Sequence, residues 1–270
     1  MLRSRVSLVT RITVVTAVVA VAALVAAGPA SAAGARYVAL GDSYASGVGS
    51  GSYTSSSGSC LRSTLAYSQL WANAHAPASY VSVACSGAKT TDVNANQLSA
   101  LSSTTTLVSI TIGGNDVGFS TVMEDCVIYS TDTCVSEVNA AENTARTSLP
   151  GWLDTTYNGI RSRSPNARVV VVDYPRFYHD LWYCIGLSST DRNKINEGAD
   201  VLDGVIQAAA ARHGFSFADV RSAFANGHEI CDSNSWLHSI DWSNITQSYH
   251  PTAAGQSGGY FPAFSAYAGS

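Results

Sequence analysis

Five short segments rich in β-branched and apolar residues, separated by stretches of helical periodicity, constrain this chain most tightly. Segments 37–40 and 169–172 are unbroken apolar runs, 80–84 and 107–112 alternate polar with apolar residues, and 215–220 is a fifth candidate strand. An unbroken apolar run of strand length needs cover on both faces, which a parallel sheet flanked by helices supplies. Between the fourth and fifth segments Ile195, Ala199, Leu202, Val205, Ile206 and Ala209 recur at helical spacing. Residues 188–191 can cap the start of that helix and Gly214 can close it. A second helical stretch runs through Val135, Val138, Glu142 and Ala145, and 66–75 is a third. Strands alternating with helices predict the α/β class: a three-layer αβα sandwich on a five-stranded parallel sheet. Segment 47–58 is rich in Gly and Ser without repeating and reads as a surface loop. No internal repeat or domain boundary interrupts the pattern, so residues 34–270 read as one domain.

The first 33 residues have a different character. Arg3, Arg5 and Arg11 precede a nearly uninterrupted apolar run from 12 to 27, and Ala30-Ser31-Ala32 follows. A basic start, a short apolar stretch and small residues make a secretory signal, with cleavage expected after Ala32 or Ala33. The run is short for a membrane span, which needs about 20 residues. Its removal takes the formal charge from −4 to −7, because 1–33 hold three arginines and no acid. An acidic domain with few lysines is a poor binder of polyanions, which argues against a nucleic-acid partner. The remaining six cysteines are Cys60, Cys85, Cys126, Cys134, Cys184 and Cys231. An even number in an exported chain implies disulfides, with 15 possible connectivities. None lies in a CxxC pair or beside a histidine at zinc spacing, and no metal or other cofactor is expected.

Three unusual segments directly follow three expected strands: Gly41-Asp42-Ser43-Tyr44, Cys85-Ser86-Gly87-Ala88 and Gly113-Gly114-Asn115-Asp116. In open parallel sheets ligands bind beyond the carboxyl ends of the strands, where strand order switches. With the order 2-1-3-4-5 the three segments converge there. An ester hydrolase needs a nucleophile, a base, and donors for the oxyanion of the tetrahedral intermediate. Ser43, at a strand-to-helix turn, can expose its hydroxyl and offer its own N–H. Gly87 can present a second N–H without a side chain in the way, and Asn115 can donate its amide. His250, in Ser248-Tyr249-His250-Pro251-Thr252, lies late in the chain, where a loop can return to the serine.

Together these residues resemble the GDSL, or SGNH, hydrolase family, named for Ser, Gly, Asn and His in four blocks. Gly41-Asp42-Ser43, Gly87, Gly113-Gly114-Asn115-Asp116 and His250 with Pro251, Thr252 and Gly255 match in that order, over essentially the whole mature chain. The likeness is greatest to small secreted bacterial lipases, esterases and phospholipases A1 with three disulfides. It implies the family's flavodoxin-like fold, Ser43 as nucleophile, His250 as base, and an oxyanion hole of Ser43, Gly87 and Asn115. It also implies Cys60–Cys85, Cys126–Cys134 and Cys184–Cys231 as the pairs. The first would tie the loop after Ser43 to the one bearing Gly87. The G-x-S-x-G signature of α/β-hydrolases is absent, since position 45 is Ala.

One position departs from the family pattern. An aspartate often stands three residues before the histidine, and here that residue is Gln247. A neutral amide could donate to the imidazole and hold the wrong tautomer, a fault worth about 10⁴ in rate in the serine proteases. Some members instead use a backbone carbonyl two residues before the histidine, here Ser248. The expectation is a Ser43–His250 dyad with the Ser248 carbonyl orienting the ring. Asp42 and Asp116 are expected to hydrogen-bond their own loops. His75, His179, His213, His228 and His238 are expected to be structural or solvated. Phe177, Tyr178, Trp182 and Tyr183 fit either an acyl pocket or core packing. The expected partner is a lipid or other ester, met at a membrane or micelle surface by a secreted monomer. An acetyl esterase acting on polysaccharide, and a silent lipid- or surface-binding module, are the alternatives.

Overall fold

A computed structural model describes residues 34–269; the segment read as an export signal lies outside the described residues. The strands are β1 (Arg36–Gly41), β2 (Ser79–Ser82), β3 (Leu107–Thr111), β4 (Arg168–Val172) and β5 (Ser216–Ala218). They form one all-parallel sheet in the order β2-β1-β3-β4-β5. The helices are α1 (Ser43–Ser46), α2 (Tyr67–His75), α3 (Thr90–Asp92), α4 (Phe119–Ile128), α5 (Thr131–Thr147), α6 (Leu149–Arg163), α7 (Ser189–Arg212), α8 (Arg221–Ala225), α9 (Ala253–Gly255) and α10 (Phe261–Ala268).

The chain leaves β1 in both directions across the sheet, first to β2 and later to β3. Right-handed crossovers therefore put α2 on one face and α6 and α7 on the other. In keeping with this, α10 packs on α2 while α5 and α6 pack on α7. The α/β sandwich read from the alternation of strands and helices is the architecture found.

Burial follows the sequence with instructive exceptions. All of β3 is buried, although its sequence alternates. Its polar residues satisfy themselves inside: Ser109 shares a 2.7 Å hydrogen bond with Tyr37, and Thr111 approaches the Tyr67 hydroxyl at 3.5 Å. β2 is an edge strand and does alternate, with Ser79 and Val81 facing outward. The long helix α7 starts at Ser188, whose hydroxyl accepts from the Asp191 N–H while the Asp191 carboxylate accepts from Ser188 N–H. Helix α6 was not legible, because Pro150, Gly151 and Gly159 dilute its helical signal. Pro150 sits harmlessly in the first turn. Gly159 leaves room for the end of the Leu98 side chain, which a Cβ there would have to displace. Of the expected surface loop 47–58, Gly47–Ser50 is buried and Ser55–Cys60 forms a 3₁₀ turn.

All six cysteines are bonded, as Cys60–Cys85, Cys126–Cys134 and Cys184–Cys231. Among the described residues no helix is long and apolar enough to cross a membrane. Strand register positions the site: Gly41 pairs with Thr111, and Cys85 N–H donates to the Gly41 carbonyl at 3.0 Å. The three glycine-bearing segments thus leave the sheet side by side.

Candidate active site

The Ser43 turn begins where β1 must stop. Gly41 adopts φ +124°, and a Cβ there would lie 2.3 Å from the Thr111 carbonyl oxygen, so only glycine lets the chain turn against β3. Gln97 clamps it from both sides, donating to the Gly41 carbonyl at 2.9 Å and accepting from its N–H at 2.7 Å. Asp42 caps the short helix α1, one carboxylate oxygen accepting from Tyr44 N–H at 3.0 Å and the other from the Tyr174 hydroxyl. Burial pushes the Asp42 carboxyl up to about 7, against the opposing pull of those hydrogen bonds. Ser43 is the first residue of α1, where backbone N–H groups have no intrahelical acceptor.

His250 arrives from the opposite end of the chain. Its Nε2 lies 2.8 Å from Ser43 Oγ, and its Nδ1 lies 2.9 Å from the Ser248 carbonyl oxygen. A carbonyl only accepts, so Nδ1 carries the proton and Nε2 presents its lone pair to the serine. Tyr249 between them has φ +64°, a left-handed conformation that turns the Ser248 carbonyl back onto the ring. The Tyr249 carbonyl is held by the Tyr44 hydroxyl at 2.6 Å, which joins this segment to the Ser43 turn. Burial lowers the imidazole to about 4 and outweighs the Ser248 hydrogen bond, so the ring is neutral at ordinary pH.

Gln247 does not contest this ring. Its amide donates to Asp241, which is drawn down to about 2 by hydrogen bonds from Ser243 first and Gln247 second. Asp232, the other upstream carboxylate, is engaged by His179 at 2.7 Å and by Glu229 N–H at 3.0 Å.

Ser43, Gly87, Asn115, Ser248 and His250 line one open cleft of about 1150 Å³, counting space continuous with solvent. Gly87 has φ +76° in a loop tied to the 3₁₀ turn by Cys60–Cys85 and by Ser86 N–H on the Cys60 carbonyl. Asn115 donates one amide hydrogen to the Ala88 carbonyl at 3.1 Å, which fixes its head beside Gly87 and leaves its second hydrogen available. The rest of the cleft is mainly apolar, with Phe119, Met123 and Val127 on the α4 side and Ile240, Trp242 and Ile245 on the His250 side.

Residues 39–257 match the profile of the GDSL-like Lipase/Acylhydrolase family. The chain belongs to that family. It is 57% identical to Lipase 1 of Streptomyces coelicolor over 226 residues, covering 84% of each protein. The crystal structure of phospholipase A1 from Streptomyces albidoflavus is similar at 53% identity and a TM-score of 0.86, over 88% of this chain and all of that one. The extracellular lipase from Streptomyces rimosus gives 50% and 0.84, over 86% of this chain and 98% of that one.

In this GDSL-family chain the remaining polar residues sort by their partners. Asp116 departs from expectation: its carboxylate serves the α3 turn, accepting from Thr90 N–H and hydroxyl. Asp42 serves both its own turn and Tyr174. His75 stacks on Trp71, His228 stacks on Trp236, and His213 meets Asp154 at 2.9 Å. His238 bonds the Gly49 carbonyl at 2.8 Å behind the cleft. The aromatic cluster splits. Phe177 and Tyr178 are buried, whereas Trp182 and Tyr183 face out. Phe177 lines a second, narrow apolar pocket that shares Phe119 and Met123 with the open cleft. Sequence reasoning missed Tyr174, Tyr44 and Gln97, whose partners are far away in the chain and leave no local signal.

Proposed function

We propose that the chain is a secreted, monomeric serine esterase of the lipase and phospholipase A1 type, working through a Ser43–His250 dyad and an acyl-enzyme. The observation that carries this reading is the 2.8 Å contact between Ser43 Oγ and a histidine nitrogen whose opposite face is fixed on a carbonyl 2.9 Å away. As Ser43 Oγ attacks the ester carbonyl, its proton passes to His250 Nε2. The oxyanion meets the N–H groups of Ser43 and Gly87 and the free amide hydrogen of Asn115. The imidazolium returns its proton to the departing alcohol, and water then repeats the sequence on the acyl-enzyme. The Ser248 carbonyl keeps the tautomer right but offers less to the imidazolium than a carboxylate would. A ring that stays neutral down to about pH 4 supplies the base.

The apolar cleft supports a lipid acyl chain over an acetyl group. Its mouth is bordered by exposed Ile128, Trp242 and Ile245. Segment 179–187 is tied at one end to the cleft-lining Tyr249, through the Tyr178 hydroxyl, and at the other to Thr131 of α5, through Ser188. It carries Trp182 and Ile185 at 93% and 97% exposure, the side chains suited to a lipid interface. Three disulfides support an oxidising, extracellular setting, as does the relative described as an extracellular lipase.

The test is a panel of short esters, long triglycerides and phospholipids, with fluorophosphonate labelling followed to the modified residue. Long-chain hydrolysis and a label on Ser43 are expected. A label elsewhere, or turnover surviving in folded Ser43→Ala, would remove the nucleophile assignment. Turnover confined to acetyl esters would remove the lipid reading.

A further inference from the structure

Tyr174 stands just beyond β4, buried between the two turns that hold Ser43 and Asn115. Its single hydroxyl hydrogen goes to the Asp42 carboxylate, and its oxygen accepts from Gly114 N–H at 3.1 Å. Asp42 immediately precedes Ser43, and Gly114 immediately precedes Asn115. The ring is braced edge-on against Tyr44 at 4.9 Å. The Tyr174 N–H is in turn held by the buried Asp203 of α7 at 3.2 Å.

We infer that Tyr174 is a positioning residue, its hydroxyl setting the Ser43 oxygen and the Asn115 amide at a fixed spacing by bridging Asp42 to Gly114. The inference rests on the dyad and oxyanion hole proposed above. Neighbouring strands set the two turns side by side, but the pairing of β1 with β3 ends at Gly41 and Thr111. Beyond that point few groups cross from one turn to the other. Asp42 N–H reaches the Thr111 carbonyl at 3.0 Å, before either reactive side chain. The Tyr174 hydroxyl makes the connection one residue from each. Because donors act on charge that develops at one point in space, small displacements between nucleophile and donor are costly.

Tyr174→Phe removes one oxygen and keeps the ring. With active sites counted by fluorophosphonate titration, so that unfolded protein does not enter the ratio, kcat should fall about 10- to 100-fold while KM stays within about threefold. In an Asn115→Ala background the same change should cost less than about threefold, because the group being positioned is gone. An unchanged kcat, a loss confined to KM, or an undiminished cost beside Asn115→Ala each overturns the inference. A parent chain that turns over no ester overturns the dyad reading as well. A competent parent with an indifferent Tyr174→Phe indicts the bridge alone.

Discussion

The turn that carries Ser43 and the segment that carries His250 meet at 2.8 Å, yet different physics holds each in place. Residues 41–50 are buried throughout and leave a central strand, so the fold itself fixes them. Segment 236–252 has almost no regular structure, and Trp242 and Ile245 lie in solvent. It is held bond by bond, through a short bridge between Leu237 and Pro251, His238 N–H on the His250 carbonyl, and Tyr44 on Tyr249. Damage to the first region should therefore cost stability and activity together. Damage to groups that only face the cleft, or to the surface of the second region, should separate the two.

The largest effect is expected at Gly41. Gly41→Ala forces a Cβ into the Thr111 carbonyl at a positive φ, and should destabilise the protein by at least about 3 kcal/mol in urea titrations. A stable and active Gly41→Ala protein would break the claim that the fold fixes the Ser43 turn. Asn115→Ala comes next. It should lower kcat by about 10² to 10³ with little change in KM or melting temperature, since the donor acts on developing charge. A loss seen only in KM would reassign Asn115 to ground-state binding.

Acidity sharpens the comparison from the histidine side. Burial lowers His250 to about 4, and the base proposed above is the neutral ring. kcat/KM should persist well below 6.5, the ordinary histidine value, and fall as pH drops through about 4. The folded state also binds fewer protons here than the unfolded chain between pH 6.5 and 4. This contribution to stability is present above that window and lost on acidification through it. A midpoint of 6.5 for the His250 ring itself, followed by NMR, would mean that the ring is solvated and the segment looser than described.

The smallest effect is expected at the two carboxylates nearest in sequence. Asp232→Asn and Asp241→Asn should each stay within tenfold of the parent in kcat, because Asp232 serves His179 and Asp241 serves Gln247. A thousandfold fall in either folded variant would expose a hidden triad member and displace the Ser248 carbonyl as the orienting group.

Legibility in the sequence follows the same division. Apolar runs announced β1 and β4, and the glycine-bearing segments after β1, β2 and β3 announced where a cleft would form. Those signals are local, because burial and chain reversal are written in neighbouring residues. β3 was half legible: Ser109 and Thr111 mimic an exposed face, while phenols from Tyr37 and Tyr67 meet them inside. The partner of Gln247 and the bridge from Tyr174 to Asp42 were illegible. The first depends on how a single irregular loop folds on itself, with Asp241 six residues before Gln247, and the second on which loops meet after folding, since Tyr174 lies 132 residues from Asp42. The pairing of the six cysteines came only with the family likeness, since spacing alone leaves 15 arrangements.

The acceptor opposite His250 belongs to the main chain, and no codon spells a carbonyl. Any amino acid at position 248 brings the same oxygen, so mutation of that side chain cannot delete it. A carboxylate in that role can be lost to one base change. The vulnerability moves instead to Tyr249, where a positive φ turns the oxygen toward the ring. Substitution of Ser248 would cost the hydroxyl that accepts from Asp241 N–H at 2.8 Å but spare the orienting oxygen, whereas a residue that resists positive φ at 249 would turn that oxygen away.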